Sequence, residues 1–291
     1  AYEIPKRDWS SDVCSSDLIA ADKDHRLVAG DYSQLELRVL AWLAGETDLL
    51  ESLHAGECVY TRTAAQLLRI DPKAVTKELR QIGKTVVLAC QFGSGGGRFK
   101  ESCRIFGVDI SPSGMTHDGL VAKFRAARPL LTRFWSACEK AMKQVITTGT
   151  ACGAGPVWMS ARWQSGGSTD VHMRLPSGRS MVFQDCRVTD GEITYAATKN
   201  RKRVRDKLYG AKIAQNATSA VARDIHAWHM LQMWQGAVPI VMHTHDDIVA
   251  HVLEIHAAET SEYMAAIMRR EPDWAQGLKL DVKMQVLRRY E

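Results

Sequence analysis

The sequence predicts an α+β fold, and three observations carry the prediction. Short β-rich runs stand near both ends of the patterned chain, RLVAG at 26–30 and PIVMHTHDDIVAHVL at 239–253. Between 33 and 146, stretch after stretch has the spacing of amphipathic helices. A further β signal, VHMRLPSGRSMVF at 171–183, consists of two alternating runs around Pro176-Ser177-Gly178 and reads as a hairpin. Strands and helices thus fall in separate blocks rather than in strict alternation, which is the α+β pattern.

The first strand is the apolar run from Arg26 to Gly30, which ends at Asp31. SQLELRVLAWLAG follows, with Leu35, Val39 and Trp42 at helical spacing and Gly45 as the stop. A strand that delivers an acid to the start of a helix exposes a carboxylate at a sheet edge. A second helix runs from about Cys58 to Leu68. Asp71-Pro72 opens a third, since proline is tolerated in a first turn, and the pattern continues as VTKELRQIGKTVVLACQF into the glycine-rich stop GSGGG at 93–97. Residues 113–146 are helical, with Phe124, Leu131, Phe134 and Trp135 as core. The stretch 147–170, rich in Gly, Ser, Thr and Ala, reads as a loop or inserted turn region. After the hairpin, Tyr209 to Trp234 is one long amphipathic helix. The final β runs flank His245-Asp246-Asp247, which puts those acids at or beside a tight turn.

Composition bounds the function. A chain of 291 residues corresponds to about two domains at ~150 residues each. With 45% hydrophobic and 24% charged residues, disorder is excluded as a description of the whole chain. No run approaches ~18 apolar residues. The first twenty positions lack a basic segment followed by an apolar one, so neither a membrane span nor an export signal is expected. Seven cysteines (Cys14, Cys58, Cys90, Cys103, Cys138, Cys152, Cys186), scattered and never spaced C-x-x-C, read as reduced thiols. The net charge of +5 permits a polyanionic partner without demanding one. Between Lys199 and Lys207 the sequence KNRKRVRDK reads as a solvated loop, with a phosphate-binding patch as the alternative. Residues 11–18, SDVCSSDL, look like one reading frame of a sequencing-library adapter, and the first residue is alanine rather than methionine. Residues 1–18 are therefore read as a non-native junction on a truncated open reading frame and set aside.

Two constellations could carry chemistry. Arg80, Lys84, Leu88 and Phe92 recur every fourth residue and form one helix stripe, two cations followed by an aliphatic and an aromatic side chain. Such a face suits a triphosphate at one end and a flat base at the other, and equally two solvated cations above two core residues. Gly83 in mid-helix costs about 1 kcal/mol relative to alanine, which points to close approach by a ligand or another backbone. Gly83-Lys84-Thr85 is not a phosphate loop, because Glu78 stands where that motif needs glycine, and Arg98 breaks a G-x-G-x-x-G reading of 93–98. The second constellation is Asp31 with Asp246-Asp247. Acids delivered by different strand ends suit two Mg²⁺ ions held ~3.5–4 Å apart for in-line phosphoryl transfer. His243, His245 and His251 raise a zinc alternative, ranked lower because hard carboxylates without thiolates favour Mg²⁺.

These residues resemble a known family. Asp31 to Arg38, DYSQLELR, is similar to motif A of family A DNA polymerases, Arg80 to Gly93 resembles motif B, and His245-Asp246-Asp247 resembles motif C. LPSGR at 175–179 and YGAKIAQN at 209–216 look most like the bacteriophage branch. The resemblance spans about Leu27 to Leu253 in spaced blocks and is weakest from 140 to 170. It implies a polymerase palm, a small antiparallel sheet carrying Asp31 and Asp246, with a helical fingers insertion. The segments expected are palm at 19–48, fingers at 49–168 and palm again at 169–291, with the thumb and proofreading domain absent from the sequence.

The same resemblance implies roles. Asp31 and Asp246 would bind two Mg²⁺ ions, supported by Asp247. Arg80 and Lys84 would grip the β- and γ-phosphates of a deoxynucleoside triphosphate, and Lys84 would protonate the leaving pyrophosphate. Leu88 and Phe92 would lie along the base, with Phe92 where the family usually has tyrosine. Glu36 would reject a ribose 2′-OH. Gln34, His245 and Asn216 match positions near the incoming nucleotide or primer terminus, and Tyr60 falls where a family residue reaches the phosphates. Lys212, Arg201 and Arg203 would touch the duplex backbone of a primer-template. Ser219 stands where a glutamine normally contacts the minor groove. Template-directed DNA synthesis in the cytoplasm of a bacterium or phage-infected host is the function implied, with any processivity factor left open. A single-subunit RNA polymerase is disfavoured by Glu36, and a non-catalytic nucleic-acid-binding remnant is the alternative from another class.

Overall fold

The computed structural model describes residues 19–164 and 168–290, so the adapter-like segment and Cys14 lie outside the described residues. The chain begins with β1 (His25–Tyr32), followed by α1 (Leu35–Ala44), α2 (Thr47–His54), α3 (Val59–Leu68), α4 (Lys77–Cys90), α5 (Gly96–Ile105), α6 (His117–Ala127) and α7 (Pro129–Thr148). Six strands come next: β2 (Cys152–Ala154), β3 (Val157–Trp163), β4 (Thr169–Arg174), β5 (Ser180–Thr189), β6 (Glu192–Lys199) and β7 (Lys202–Leu208). The remainder is α8 (Gly210–Gln235), β8 (Ile240–Thr244), β9 (Asp247–Leu253), α9 (Ala257–Met268) and β10 (Val282–Leu287). The fold is α+β with antiparallel sheets, and no helix among the described residues is long and apolar enough to cross a membrane.

By contact the described residues divide into two units, one holding those up to Ser33, His226–Arg270 and those from Leu280 on, the other those within Gln34–Ile225 and Glu271–Lys279. The first unit is built on a four-stranded antiparallel sheet in the order β10-β1-β9-β8. Its central strand β1 is buried on both faces, with Leu27 and Ala29 packing against Val249 and with Val28 fully enclosed. That double burial is why RLVAG is continuously apolar rather than alternating. α9 covers β1 and β10.

In the second unit the helices pack beside a six-stranded antiparallel meander running β2 to β7 in order. α7 buries Leu131, Phe134, Trp135, Cys138, Met142 and Val145 as a stripe against β2 to β5. Each fully enclosed side chain of this size contributes roughly 1.5–3 kcal/mol of transfer free energy. α3 and α4 cross closely at Gly83, where a Cβ would stand 2.2 Å from the Tyr60 carbonyl oxygen. The mid-helix glycine is thus explained by an approaching backbone.

Several expectations need correction. The pattern from Asp71 to Phe92 is not one helix: Pro72–Ala74 form a 3-10 turn, Val75 is extended, and Thr76 opens α4 by accepting a hydrogen bond from the Leu79 amide at 3.3 Å. The glycine run at 93–97 ends one element and starts another, with Gly95 as the N-cap of α5. Residues 113–146 are two helices, broken where Arg128 precedes Pro129. The described residues of the stretch 147–170 hold β2, β3 and the start of β4, and the basic run at 199–207 is the tip and second strand of the β6-β7 hairpin. α2, α5, β6, α9 and β10 have no counterpart among the elements expected from the sequence.

Candidate active site

The first unit gathers three acids by strand pairing alone. Asp31, next to last in β1, is the register partner of Asp247, the first residue of β9. Asp246 sits in the tight β8-β9 turn, where His245 takes a positive φ of 37° and the Asp246 carbonyl accepts from the Tyr32 amide at 3.3 Å. One ligand oxygen from each of Asp31, Asp246 and Asp247 can lie within 4.8 Å of the other two. Burial against the sheet, and then the negative charges of Asp246 and Asp247, push the Asp31 carboxyl up to about 6, partly opposed by Lys283 on the neighbouring strand. A carboxyl that resists ionising in this way is a group waiting for positive charge. Three hard oxygen donors fit a divalent cation, and among the described residues no histidine joins this group. Of the zinc candidates, His251 stacks on His25 with ring centroids 4.6 Å apart and His243 lies edge-on to His226.

A layer of side chains, buried at Tyr32, His226 and His229 and partly buried at Tyr290, supports the turn. The Tyr290 hydroxyl donates to Asp247 Oδ2, and His226 Nε2 donates to the Asp247 carbonyl at 3.1 Å. Burial, and then the hydrogen bond to Asp247, raise the Tyr290 hydroxyl above the ordinary tyrosine value, so it remains a donor. Tyr32, 2% exposed, bonds His229 Nδ1 at 2.7 Å while His229 Nε2 donates to the Arg270 carbonyl at 2.9 Å. Sequence reasoning missed Tyr32, His226, His229 and Tyr290. The i, i+3 spacing of His226 and His229 on one helix is the signal that was available.

The cationic stripe lies on α4 in the second unit. Arg80 is exposed, Lys84 half-buried, Leu88 44% exposed, and Phe92, just past the helix end, half-buried. Arg80 is not a free cation: its Nε donates to Cys58 Sγ at 3.3 Å, and its guanidinium carbon stands 5.5 Å from the Tyr60 ring centroid. Burial pushes the Cys58 thiol up, but hydrogen bonds from Thr61, Arg80 and Tyr60 together outweigh it and bring the group down to about 7. Tyr60, half-buried, is raised by burial first and by the Cys58 charge second.

Other candidates in this unit fall into two groups. Gln34 takes a left-handed conformation with φ of 58° ahead of α1, and its buried Oε1 has no partner among the described residues. Glu36, in the first turn of α1, accepts from the Ser219 hydroxyl at 2.7 Å. On α8, Asn216 donates to the Lys212 carbonyl at 2.8 Å, while Lys212 donates to Asp206 Oδ2 at 2.7 Å and lies over the Tyr195 ring. Hydrogen bonds from Lys199 and Lys212 hold Asp206 down at about 2. In the basic hairpin, Lys199, Arg205 and Lys207 are paired with Asp206, Asp185 and Glu192 respectively. Arg201 and Arg203 are exposed at and just past the tip and have no ion-pair partner among the described residues.

Comparisons with known proteins give the fold and the family. The chain is 29% identical over 263 residues to the DNA polymerase of Bacillus phage SP02, which covers 86% of this chain and 39% of that protein. It is 41% identical over 73 residues to DNA polymerase I of Chloroflexus aurantiacus, covering 25% of this chain and 8% of that one. The chain thus spans about two fifths of the length of the phage relative. Among solved structures, the POL domain of Pol1 from M. smegmatis, in complex with DNA primer-template and dNTP, superimposes with a TM-score of 0.61 at 15% identity, covering 94% of this chain and 42% of that one. The two share a fold. A family model describes the sequence over residues 2–291, and the chain belongs to DNA polymerase family A.

Proposed function

We propose that the protein carrying this chain is a DNA-directed DNA polymerase that transfers deoxynucleotides from dNTPs to a primer 3′-OH under the direction of a template. The observation that carries this reading is the convergence of Asp31, Asp246 and Asp247 at one end of a four-stranded sheet. Asp31 and Asp246 are the ligands for two Mg²⁺ ions, and Asp247, held by Tyr290, supports them. When bound, the ions supply Lewis acidity to the attacking and leaving oxygens.

The chain's own residues bind and orient. Arg80 and Lys84 bind the β- and γ-phosphates, and Lys84 holds the proton that the departing pyrophosphate takes. Leu88 and Phe92 lie along the base, Tyr60 and Gln34 contact the nucleotide, and Glu36 occupies the space a ribose 2′-OH would need. His245 and Asn216 attend the primer terminus. Lys212, Arg201 and Arg203 track the duplex backbone, a term that weakens with salt. In this reading 19–48 and 169–291 act as palm and 49–168 as fingers, and the work is done in the cytoplasm of a bacterium or an infected host.

The test is single-nucleotide incorporation by the full-length protein on four primer-templates differing in one template base. Mg²⁺-dependent addition of the complementary deoxynucleotide alone is expected. Binding of primer-template without any incorporation would replace this function with that of a non-catalytic nucleic-acid-binding protein.

A further inference from the structure

Ser219 lies in the middle of α8, where a serine hydroxyl ordinarily bonds back to the carbonyl four residues earlier or faces water. Here it donates to Glu36 Oε1 at 2.7 Å, joining residues 183 positions apart. The two ends of this bond differ in freedom. Ser219 is flanked on its helix by Ala217, Thr218, Ala220 and Val221, all buried, so its backbone is held by the core. Glu36 is exposed on the first turn of α1 and carries three rotatable side-chain bonds. The helix backbone beneath it is fixed by Arg38, whose guanidinium donates to the Lys279 carbonyl at 2.7 Å and to the Leu53 carbonyl at 3.0 Å. What is left to choose is the rotamer of Glu36, and a hydroxyl that can only donate to a carboxylate chooses it.

We propose that Ser219 is a positioning residue for sugar selection, holding the Glu36 carboxylate in the one rotamer that excludes a 2′-hydroxyl. The proposal rests on the reading of Glu36 as the residue beside the sugar. A carboxylate free to rotate leaves that space open part of the time. A pinned one does not.

The experiment measures kcat/KM for each deoxynucleotide and its ribonucleotide on one primer-template, with the full-length protein and the variants Ser219→Ala, Ser219→Thr, Glu36→Ala and the double alanine variant. Ser219→Ala is expected to lower discrimination about fivefold, the scale of one exposed charge-assisted hydrogen bond. Ser219→Thr, which keeps the hydroxyl, is expected to restore discrimination to within about twofold of the parent, and Ser219→Ala should add nothing once Glu36 is alanine. Unchanged discrimination in Ser219→Ala beside a loss in Glu36→Ala overturns the role of Ser219 and leaves that of Glu36 standing. Fully additive losses overturn the coupling. No loss in Glu36→Ala overturns the reading of Glu36 itself and the proposal with it.

Discussion

Replacing Asp31 by asparagine should stabilise the protein when no metal is present and remove its response to Mg²⁺. Burial and the neighbouring Asp246 and Asp247 displace the Asp31 carboxyl from an ordinary 3.8 to about 6. For a fully desolvated group that displacement would amount to roughly 3 kcal/mol, at about 1.4 kcal/mol per tenfold change in proton affinity. Asp31 is exposed to solvent on one side, and screening leaves about 1 kcal/mol of that figure. The folded state holds the Asp31 proton between about 4 and 6 while the unfolded chain has released it. Stability from this group is therefore greatest below about pH 4, falls as pH rises, and is at its lowest above about 6. An asparagine in this place carries no charge to repel, so at pH 7.5 in EDTA thermal unfolding of Asp31→Asn should be higher than that of the parent by roughly 2–4 °C for about 1 kcal/mol. Mg²⁺ at ten times its dissociation constant stabilises the parent by about 1.4 kcal/mol, and the variant should show little of this. Scanning calorimetry at pH 5 and 7.5, with EDTA and with Mg²⁺, reads all of these. Equal or lower unfolding temperature for the variant in EDTA at pH 7.5 would refute the burial and repulsion that displace the Asp31 carboxyl, and an undiminished Mg²⁺ shift would refute its role as a ligand.

Arg80→Ala should chiefly weaken nucleotide binding, by about 1.5–3 kcal/mol, whereas Lys84→Ala should also slow the chemical step by about 10²–10⁴-fold; nucleotide Kd and single-turnover rate measured separately distinguish them. The pH profile of Cys58 alkylation should bend near 7 and move upward in Arg80→Ala, which loses a lowering contact, as mass spectrometry of iodoacetamide-treated protein would record. Burial pushes Cys90, Cys138 and Cys186 up to about 12, so those thiols should stay unmodified in the folded protein. Gly83→Ala would put a methyl group 2.2 Å from the Tyr60 carbonyl oxygen, and a loss of about 1–3 kcal/mol in urea unfolding is expected as α3 and α4 are forced apart.

What was legible in the sequence was local. The apolar run before Asp31 and the β runs around His245-Asp246-Asp247 announce strands and a turn from neighbouring residues alone, and pairing those strands brings the acids together. The stripe on α4 was legible because a helix repeats within four residues. β3 was hidden because its alternation of Val157 and Met159 against exposed Trp158 is short and sits among glycines and serines. β7 was hidden because its inward positions are few, while two of its cations, Arg205 and Lys207, are matched by Asp185 and Glu192 on other strands. The supporting contacts lay further out of reach. Tyr290 meets Asp247 across 43 residues and Ser219 meets Glu36 across 183, and no spacing rule joins side chains that only the tertiary fold makes neighbours.

The claim on which everything else depends is that the paired acids serve the chemical step. Single-turnover primer extension by the full-length protein carrying Asp246→Ala, with primer-template affinity measured on the same preparation, tests it most directly. Extension slowed by at least about 10³-fold, as befits loss of a metal ligand, with DNA affinity nearly unchanged, is expected. Near-normal extension with Asp246→Ala would contradict it.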